Sequence, residues 1–310
     1  MKRRIKKILF RLSRSPLGFL LVFVWNLVTE IQIGFCRLLW FLQGHRKPNA
    51  DEQKLVREQV TFLFKSFERQ NLAKKLYRNI QRYYPGVRVI IVDDSRKALE
   101  LSGPGLEIIQ LPFNVGLSAG LNRGLEKVET PFVIRMDDDE LLTPSTKFHE
   151  QLRFLLAHPE VDLAGVLPMN FPVKKDWRNK ELNMYRGFSM ANAPKPLKIP
   201  HGTWLDESHI VLGKVPNIFA ARTEAYRALG YDDRIRMIDH HEFFYRAAGN
   251  LTAVLDPACF VIHNHCPFKY SYQVYRADIA GDKRYIAQKH LIFPGISKDV
   301  KSADEELIKS

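Results

Sequence analysis

The chain is poor in cysteine: Cys36, Cys259 and Cys266 are its only three in 310 residues, and no two stand in a Cys-x-x-Cys pair. This excludes a disulfide framework and a cysteine-based zinc site. Cys259 and Cys266 are close enough in sequence to pair, but isolated thiols are the simpler reading. No segment recurs at a fixed period, which excludes solenoids and propellers, and there is no low-complexity tract. Acid is missing from one place in particular. The first fourteen residues, MKRRIKKILFRLSR, hold seven Lys or Arg and no Asp or Glu, out of a net charge of +13. The basic excess is therefore local, unlike the distributed patch of a nucleic-acid binder, and no nucleic-acid partner is expected. At 45% hydrophobic and 26% charged residues the rest is ordinary globular protein with ample length for a core.

After the basic start comes SPLGFLLVFVWNLVTEIQIGFCRLLWFLQGHRK. A basic end followed by an apolar stretch reads as a membrane anchor or an uncleaved signal. Spanning a bilayer takes about 20 mostly apolar residues, and Glu30, Gln32 and Arg37 interrupt the run. Two forms of membrane association stay open: an imperfect spanning helix over about residues 17–42, or a helix lying in the interface beside anionic lipid. We assign 1–45 to this segment, 46–57 (around GHRKPNADEQK) to a polar linker, 58–285 to a globular domain and 286–310 to a polar tail.

From residue 58 the pattern alternates. VTFLF, VRVIIV, LEIIQL, PFVIRM and VDLAGVL are short, β-rich apolar runs. Between them NLAKKLYRNIQRYYPG places Leu72, Leu76, Ile80 and Tyr83 on one helical face, and GLSAGLNRGLEKV is small and apolar enough for a helix. Thr143 with Pro144 is a plausible helix start, with Phe148, Leu152, Leu155 and Leu156 facing inward. Residues 172–209 are polar and poorly periodic and are expected to be irregular, as substrate-contacting loops often are. VPNIFAA, TEAYRALG, HEFFYRAAG and ACFVIHNH then resume as strand, two helices and a last strand. Strands alternating with helices imply an α/β fold with a central, mostly parallel, helix-covered sheet, whose ligands sit outside the carboxyl ends of the strands.

Two acidic groups fall at such ends, VDDS at 92–95 and MDDDE at 136–140. Either could be a solvated turn. Clustered carboxylates at one sheet edge make chemical sense if a divalent cation neutralises them, and hard oxygen ligands suit Mg²⁺ or Mn²⁺ bound with substrate phosphates.

With these blocks in place the chain resembles the family 2 glycosyltransferases of GT-A fold, the fold of nucleotide-diphospho-sugar transferases. VTFLFKSFERQNLAKKLYRNIQRYYPGVRVIIVDDS, LPFNVGLSAGLNRGLEKVETPFVIRMDDDELLT, NIFAARTEAYRALGYDD and HEFFYRAAG fall in that family's order. Within it the chain looks most like the β-1,4-N-acetylgalactosaminyltransferases of gangliosides and related glycans. The resemblance implies that Ser66 and Arg69 begin to enclose the nucleotide and that Asp93 and Asp94 bind uracil and ribose. It also implies that Gly116 and Asn122 lie beside the diphosphate. Asp137 and Asp139 become the ends of a DxD motif, the first near ribose or donor sugar and the second on the metal. Asp138 takes the middle position, and Glu140 is expected to face solvent. A late histidine, His263 or His265 according to the alignment chosen, implies a further metal ligand and favours Mn²⁺ over Mg²⁺. Laid on the family's Glu-Asp-x-Glu pattern, MIDHHEFF offers Asp239, then Glu242, then His240 as catalytic base. His240 stands where the family usually has aspartate.

The function implied is a metal-dependent inverting transfer of a hexose or N-acetylhexosamine from a UDP-sugar to a glycan or glycolipid hydroxyl. Such an enzyme would sit at a membrane: the cytoplasmic face of the inner membrane in a bacterium, the Golgi as a type II protein in a eukaryote. A nucleotidyltransferase would need a basic glycine-rich loop after the first strand, and KSFERQN has no glycine. A membrane-tethered scaffold or sugar-binding protein with a dead transferase fold would have lost the DxD or the late acid, yet Asp137, Asp139 and Glu242 are present.

Overall fold

A computed structural model describes residues 17–171, 173–188, 193–264, 266, 275 and 279–290. Helix α1 (Leu17–Leu42) is followed by α2 (Ala50–Gln59), β1 (Val60–Ser66), α3 (Gln70–Tyr83), β2 (Arg88–Asp93) and β3 (Leu106–Gln110). Next come α4 (Leu117–Glu126), β4 (Phe132–Asp137), β5 (Glu140–Leu141), α5 (Phe148–Ala157) and β6 (Leu163–Asn170). The remainder is α6 (Trp177–Arg186), β7 (Ile210–Val211), β8 (Phe219–Arg222), α7 (Thr223–Leu229), α8 (Asp239–Ala247), β9 (Ala253–His263) and α9 (Ile279–His290).

The strands form one sheet in the order β3-β2-β1-β4-β8-β6-β9-β5, with β7 also on β9. β3, β2, β1 and β4 are mutually parallel. β8 runs antiparallel to both β4 and β6, while β6 and β9 are again parallel. The sheet is thus mixed, parallel from β3 to β4. Strand alternation divides its side chains between two apolar layers. Phe62 and Phe64 point into one with Leu76, Ile80, Phe148 and Leu152; Leu63 points into the other with Leu121, Leu125 and Phe243.

Several expectations are corrected. Residues 50–59 are helical where a linker was expected, because Asn49 and Glu52 form a reciprocal capping box and Val56 is buried. Thr143 caps a turn, accepting from Ser145 N, and the helix that follows starts only at Phe148, leaving Leu156 exposed. The irregular middle contains α6, whose Tyr185 is buried and whose Trp177 packs edge-on to Phe260 at 5.2 Å. Helix α9 runs through 286–290, where the tail was expected to begin.

Helix α4 lies close on β1 and β2 because two of its positions lack side chains. A Cβ at Gly124 would strike Leu63 Cδ1 and come within 2.8 Å of Val92 Cγ2, both buried. Gly124→Val should therefore destabilise the fold by about 1–3 kcal/mol through overpacking. Chemical denaturation reads this out, and unchanged stability would mean that α4 can lift from the sheet.

Candidate active site

The carboxyl ends of β1 and β4 open onto a cavity of about 440 Å³. Strand register assembles its floor. Lys65 lies opposite Asp137 on the β1–β4 pair, and Ser66 opposite Asp93 on the β1–β2 pair. The antiparallel β5–β9 pair sets Glu140 against His263, which carries His263 to the DxD turn. Asn264 N donates to the Asp139 carbonyl at 2.8 Å, fixing that approach.

Three cations pair with four aspartates. Arg69 donates to Asp139 Oδ2 at 2.7 Å through Nη1 and to Asp138 Oδ1 through Nη2. Arg135, fully buried within β4, meets Asp137 Oδ1 at 2.8 Å. Lys65 pairs with Asp94; burial pulls the lysine's pKa down and the aspartate's up, each opposed by its partner's charge. Burial likewise raises the Asp138 carboxyl, against the pull of Arg69, and Asp138 Oδ2 is buried with no hydrogen-bond partner among the described residues. Glu140, expected in solvent, is 3% exposed: its carboxylate accepts the Asp137 amide at 2.7 Å, and burial holds its pKa high.

Of the residues singled out from sequence, Arg69, Gly116, Asp137, Asp138, Asp139, Asp239, His240 and His263 line the cavity. Others serve the frame. Asp93 accepts from Ser95 N, Ser95 Oγ and Leu99 N, closing its own turn. Asp94 holds Lys65 and accepts from Gly116 N at 3.3 Å. Ser66 is buried beneath the floor. Asn122 exchanges two 2.9 Å bonds with the Tyr231 backbone and does not reach the cavity. Glu242 turns away from it, bound by Arg246 at 2.7 Å, Lys289 at 2.7 Å and His290 at 3.1 Å. Burial raises the Glu242 pKa, but Arg246 and Lys289 lower it more. His265 lies outside the described residues.

Asp239, the first residue of α8, is 2% exposed, lines the cavity and leaves Oδ2 without a partner among the described residues. Burial raises its pKa to about 6, with Arg135 opposing and Asp137 adding to the rise. The neighbouring His240 donates Nε2–H to the Val215 carbonyl at 2.7 Å, and burial together with Lys214 keeps its pKa far below the usual value. The loop before α8 is held by one carboxylate from α9: Asp282 accepts the amides of Arg236 at 3.1 Å, Met237 at 2.6 Å and Ile238 at 3.2 Å.

Several residues at or around the cavity escape sequence reasoning. Lys65 and Arg135 had a signal, a lone charge inside an apolar strand. Phe67, Phe113 and Tyr275 form a mutually packed trio, with centroids 5.1–5.7 Å apart, and Arg96 lies over Phe113 and Tyr275. Tyr275 and Asp282 carried no local signal.

Among the described residues no group of three or more His, Cys, Asp or Glu is arranged to hold a metal alone. Asp139 and His263 form a two-donor set: His263 Nδ1 donates to Asn170 Oδ1 at 2.6 Å, and Nε2 faces Asp139 Oδ1 at 3.7 Å. A histidine oriented through its other nitrogen, beside an acidic oxygen, fits the protein's share of a Mn²⁺ or Mg²⁺ site whose remaining ligands come from phosphate and water.

The sheet order, the DxD turn and the cavity at the strand ends define a GT-A fold. It is shared, at a TM-score of 0.51 and 13% identity, with S. aureus TarS 1–349 in complex with UDP, over 80% of this chain and 77% of that one. A mannosyltransferase from Pyrobaculum calidifontis, in complex with GDP-Man and Mn²⁺, aligns at a TM-score of 0.50 and 16% identity over 90% and 79%. Residues 65–208 match the Glycosyl transferase family 2 model, so the chain carries a family 2 glycosyltransferase domain. Among curated relatives, mouse (Mus musculus) beta-1,4 N-acetylgalactosaminyltransferase 2 is 31% identical over 220 residues, 69% of this chain and 40% of the relative. Human (Homo sapiens) beta-1,4 N-acetylgalactosaminyltransferase 1 is 32% identical over 194 residues, 62% of this chain and 36% of the relative. The chain thus spans well under half the length of these relatives.

The site's electrostatics give a test that needs no substrate. Arg135→Met leaves Asp137, Glu140 and Asp239 without their buried countercharge, which should destabilise the fold by about 3–5 kcal/mol at neutral pH. Carboxyls whose folded pKa is raised take up protons as pH falls, so the deficit against the parent should shrink between pH 7 and pH 5. Denaturation at both pH values measures it; a deficit that does not depend on pH would make Arg135 a packing residue only.

Proposed function

We propose that the protein is a metal-dependent inverting glycosyltransferase that moves a hexose or N-acetylhexosamine from a UDP-sugar to a glycan or glycolipid hydroxyl at a membrane. The observation that carries this reading is Asp239, a buried carboxylate with an unpartnered oxygen, opening on the same cavity as the DxD aspartates.

The nucleotide sits at the β1 and β2 ends, its base against the aromatic ring of Phe67, since base–aromatic stacking tolerates an otherwise apolar wall. The diphosphate lies at the N-terminus of α4, where Gly116 and Leu117 face the cavity and the positive end of the helix dipole favours anions. Gly116 at φ 106 occupies a conformation few other residues adopt, which keeps this approach open. Arg236, packed beside Gly116, supplies positive charge there. Asp139 and His263 would hold the cation, with Asp138 behind them. A bound Mn²⁺ or Mg²⁺ supplies charge that fixes the diphosphate and offsets the negative charge gained as UDP departs.

Asp239 takes the proton from the acceptor hydroxyl, whose oxygen bonds to the anomeric carbon on the face opposite UDP. The carbon–phosphate oxygen bond breaks and the configuration inverts. Asp239 suits this step better than its neighbours: a pKa near 6 leaves it ionised at neutral pH yet basic enough to accept a proton. His240 is a weaker base, and Glu242 is engaged by Arg246, Lys289 and His290 away from the cavity.

UDP release from a panel of UDP-sugars, with Mn²⁺ or Mg²⁺, tests the reaction, and no release with any donor or metal would sink it. Asp139→Asn should lose about 10²–10³ in rate, and UDP binding by the variant should no longer tighten when Mn²⁺ is added. Asp239→Asn should lose on the order of 10²–10⁴ in rate while binding UDP as the parent does. The parent's rate should rise with pH through about 6 and then level, because the base works only when ionised. A variant that keeps its rate within tenfold of the parent would place the base elsewhere.

A further inference from the structure

Helix α1 is long and apolar enough to cross a membrane: 26 residues, or about 39 Å at 1.5 Å per residue. Its contacts argue against that path. Thr29 and Ile33, at its centre, are buried, and Cys36 and Trp40 pack against the apolar core, Trp40 at 6.0 Å from Phe260. Glu30, at the midpoint, pairs with Lys75 of α3. In a helix crossing the bilayer these residues would lie near the midplane, and α3, with Lys74, Lys75, Arg78 and Arg82, would lie there too. Hydrocarbon does not accept a charged helix of that kind.

The opposite face is apolar along its whole length. Phe19, Phe23, Leu27, Ile31, Phe35 and Leu42 are between 50% and 80% exposed, and most of the large apolar side chains exposed by the described residues belong to this helix. Exposed apolar surface of that extent marks an interaction site. Charge identifies what covers it. Seven Lys or Arg without an acid precede the helix in sequence, and at its other end Arg37, Lys47 and Arg82 surround Tyr83. Apolar face and basic rim together match a bilayer surface with anionic headgroups.

We infer that α1 is an in-plane anchor: it lies in the membrane interface, its outer face among the acyl chains and its inner face on the catalytic domain, and it does not cross the bilayer. The inference rests on the membrane association proposed above and not on the transfer reaction, so UDP release is followed in parallel.

The test uses the full chain with an epitope at each end, in sealed vesicles prepared from producing cells and treated with protease. An in-plane helix keeps both epitopes on one side, so they are cleaved together or protected together; opposite fates would overturn the inference. Phe23→Ser, Leu27→Ser and Ile31→Ser combined should reduce the membrane-bound fraction by about tenfold with circular dichroism and UDP release unchanged. Membrane binding equal to the parent's would overturn it. So would a parent that in lipid-free buffer is a stable dimer which this variant dissolves, because the face would then belong to a second copy. Rebinding of the parent to phosphatidylcholine vesicles should require added phosphatidylglycerol and weaken with salt.

Discussion

One buried guanidinium organises the acidic end of this sheet. Arg135 is fully enclosed in β4, and its charge acts on carboxylates from three separate elements: Asp137 by direct contact, Glu140 across the DxD turn and Asp239 at the start of α8. Without it the fold would bring these acids together with nothing inside to oppose their repulsion. The guanidinium suits the position, being planar, permanently charged and less strongly hydrated than an ammonium. Its effect is graded by distance. Asp137 is held directly; Asp239 feels the charge but makes no bond to it, so burial still dominates and leaves the carboxyl at about 6.

The same arrangement recurs across the parallel half of the sheet. Most acids at these strand ends have a cation beside them: Lys65 for Asp94, Arg69 for Asp138 and Asp139, and Arg135, from the same strand, for Asp137. Parallel pairing fixes these partnerships through register, since Lys65 falls opposite Asp137 and Ser66 opposite Asp93. Position then separates the carboxylates. Asp93 is bound by its own turn, and Glu242, although its Oε2 is also left without a partner among the described residues, lies away from the cavity. Asp138 and Asp239 each leave a buried oxygen without a partner among the described residues and line the cavity, and buried unsatisfied groups in a cleft are where chemistry is usually found.

Much of this was legible in sequence because local pattern and tertiary role agree. The strands at VTFLFKS, VRVIIVD and PFVIRMD are buried on both faces and read as continuous apolar runs, and the acids at their ends fall where the α/β rule puts ligands. What was not legible depends on long-range pairing. Asn122 looked like a diphosphate neighbour from its place beside Gly116, but it faces the other way, to Tyr231, 109 residues on. Glu242 and Asp239 share a helical face by spacing, yet only Asp239 stands at the helix start where the cavity opens. The helix at 50–59 was hidden by polar composition; its capping box, Asn49 with Glu52, was the available signal. His263 is set beside Asp139 by the β5–β9 register, which no local pattern encodes.

The segment that matches the family ends at residue 208, while much of the cavity wall comes later. Asn217, Arg236 to His241, His263 and Tyr275 all line the cavity from beyond that boundary. The placement of residues 236–239 depends on α9. Asp282 gathers three consecutive amides of 236–238, Tyr285 and Lys289 bind Asp232, and Lys289 with His290 closes on Glu242. One short helix thus clamps both ends of the loop that delivers Asp239, a distance of some forty residues in sequence bridged by charge-assisted bonds. The wall that carries Lys65 and Asp137 is built from strand ends whose geometry the sheet enforces. The wall that carries Arg236 and Asp239 is instead a loop and a helix start held by side chains, so its shape can change without disturbing the sheet.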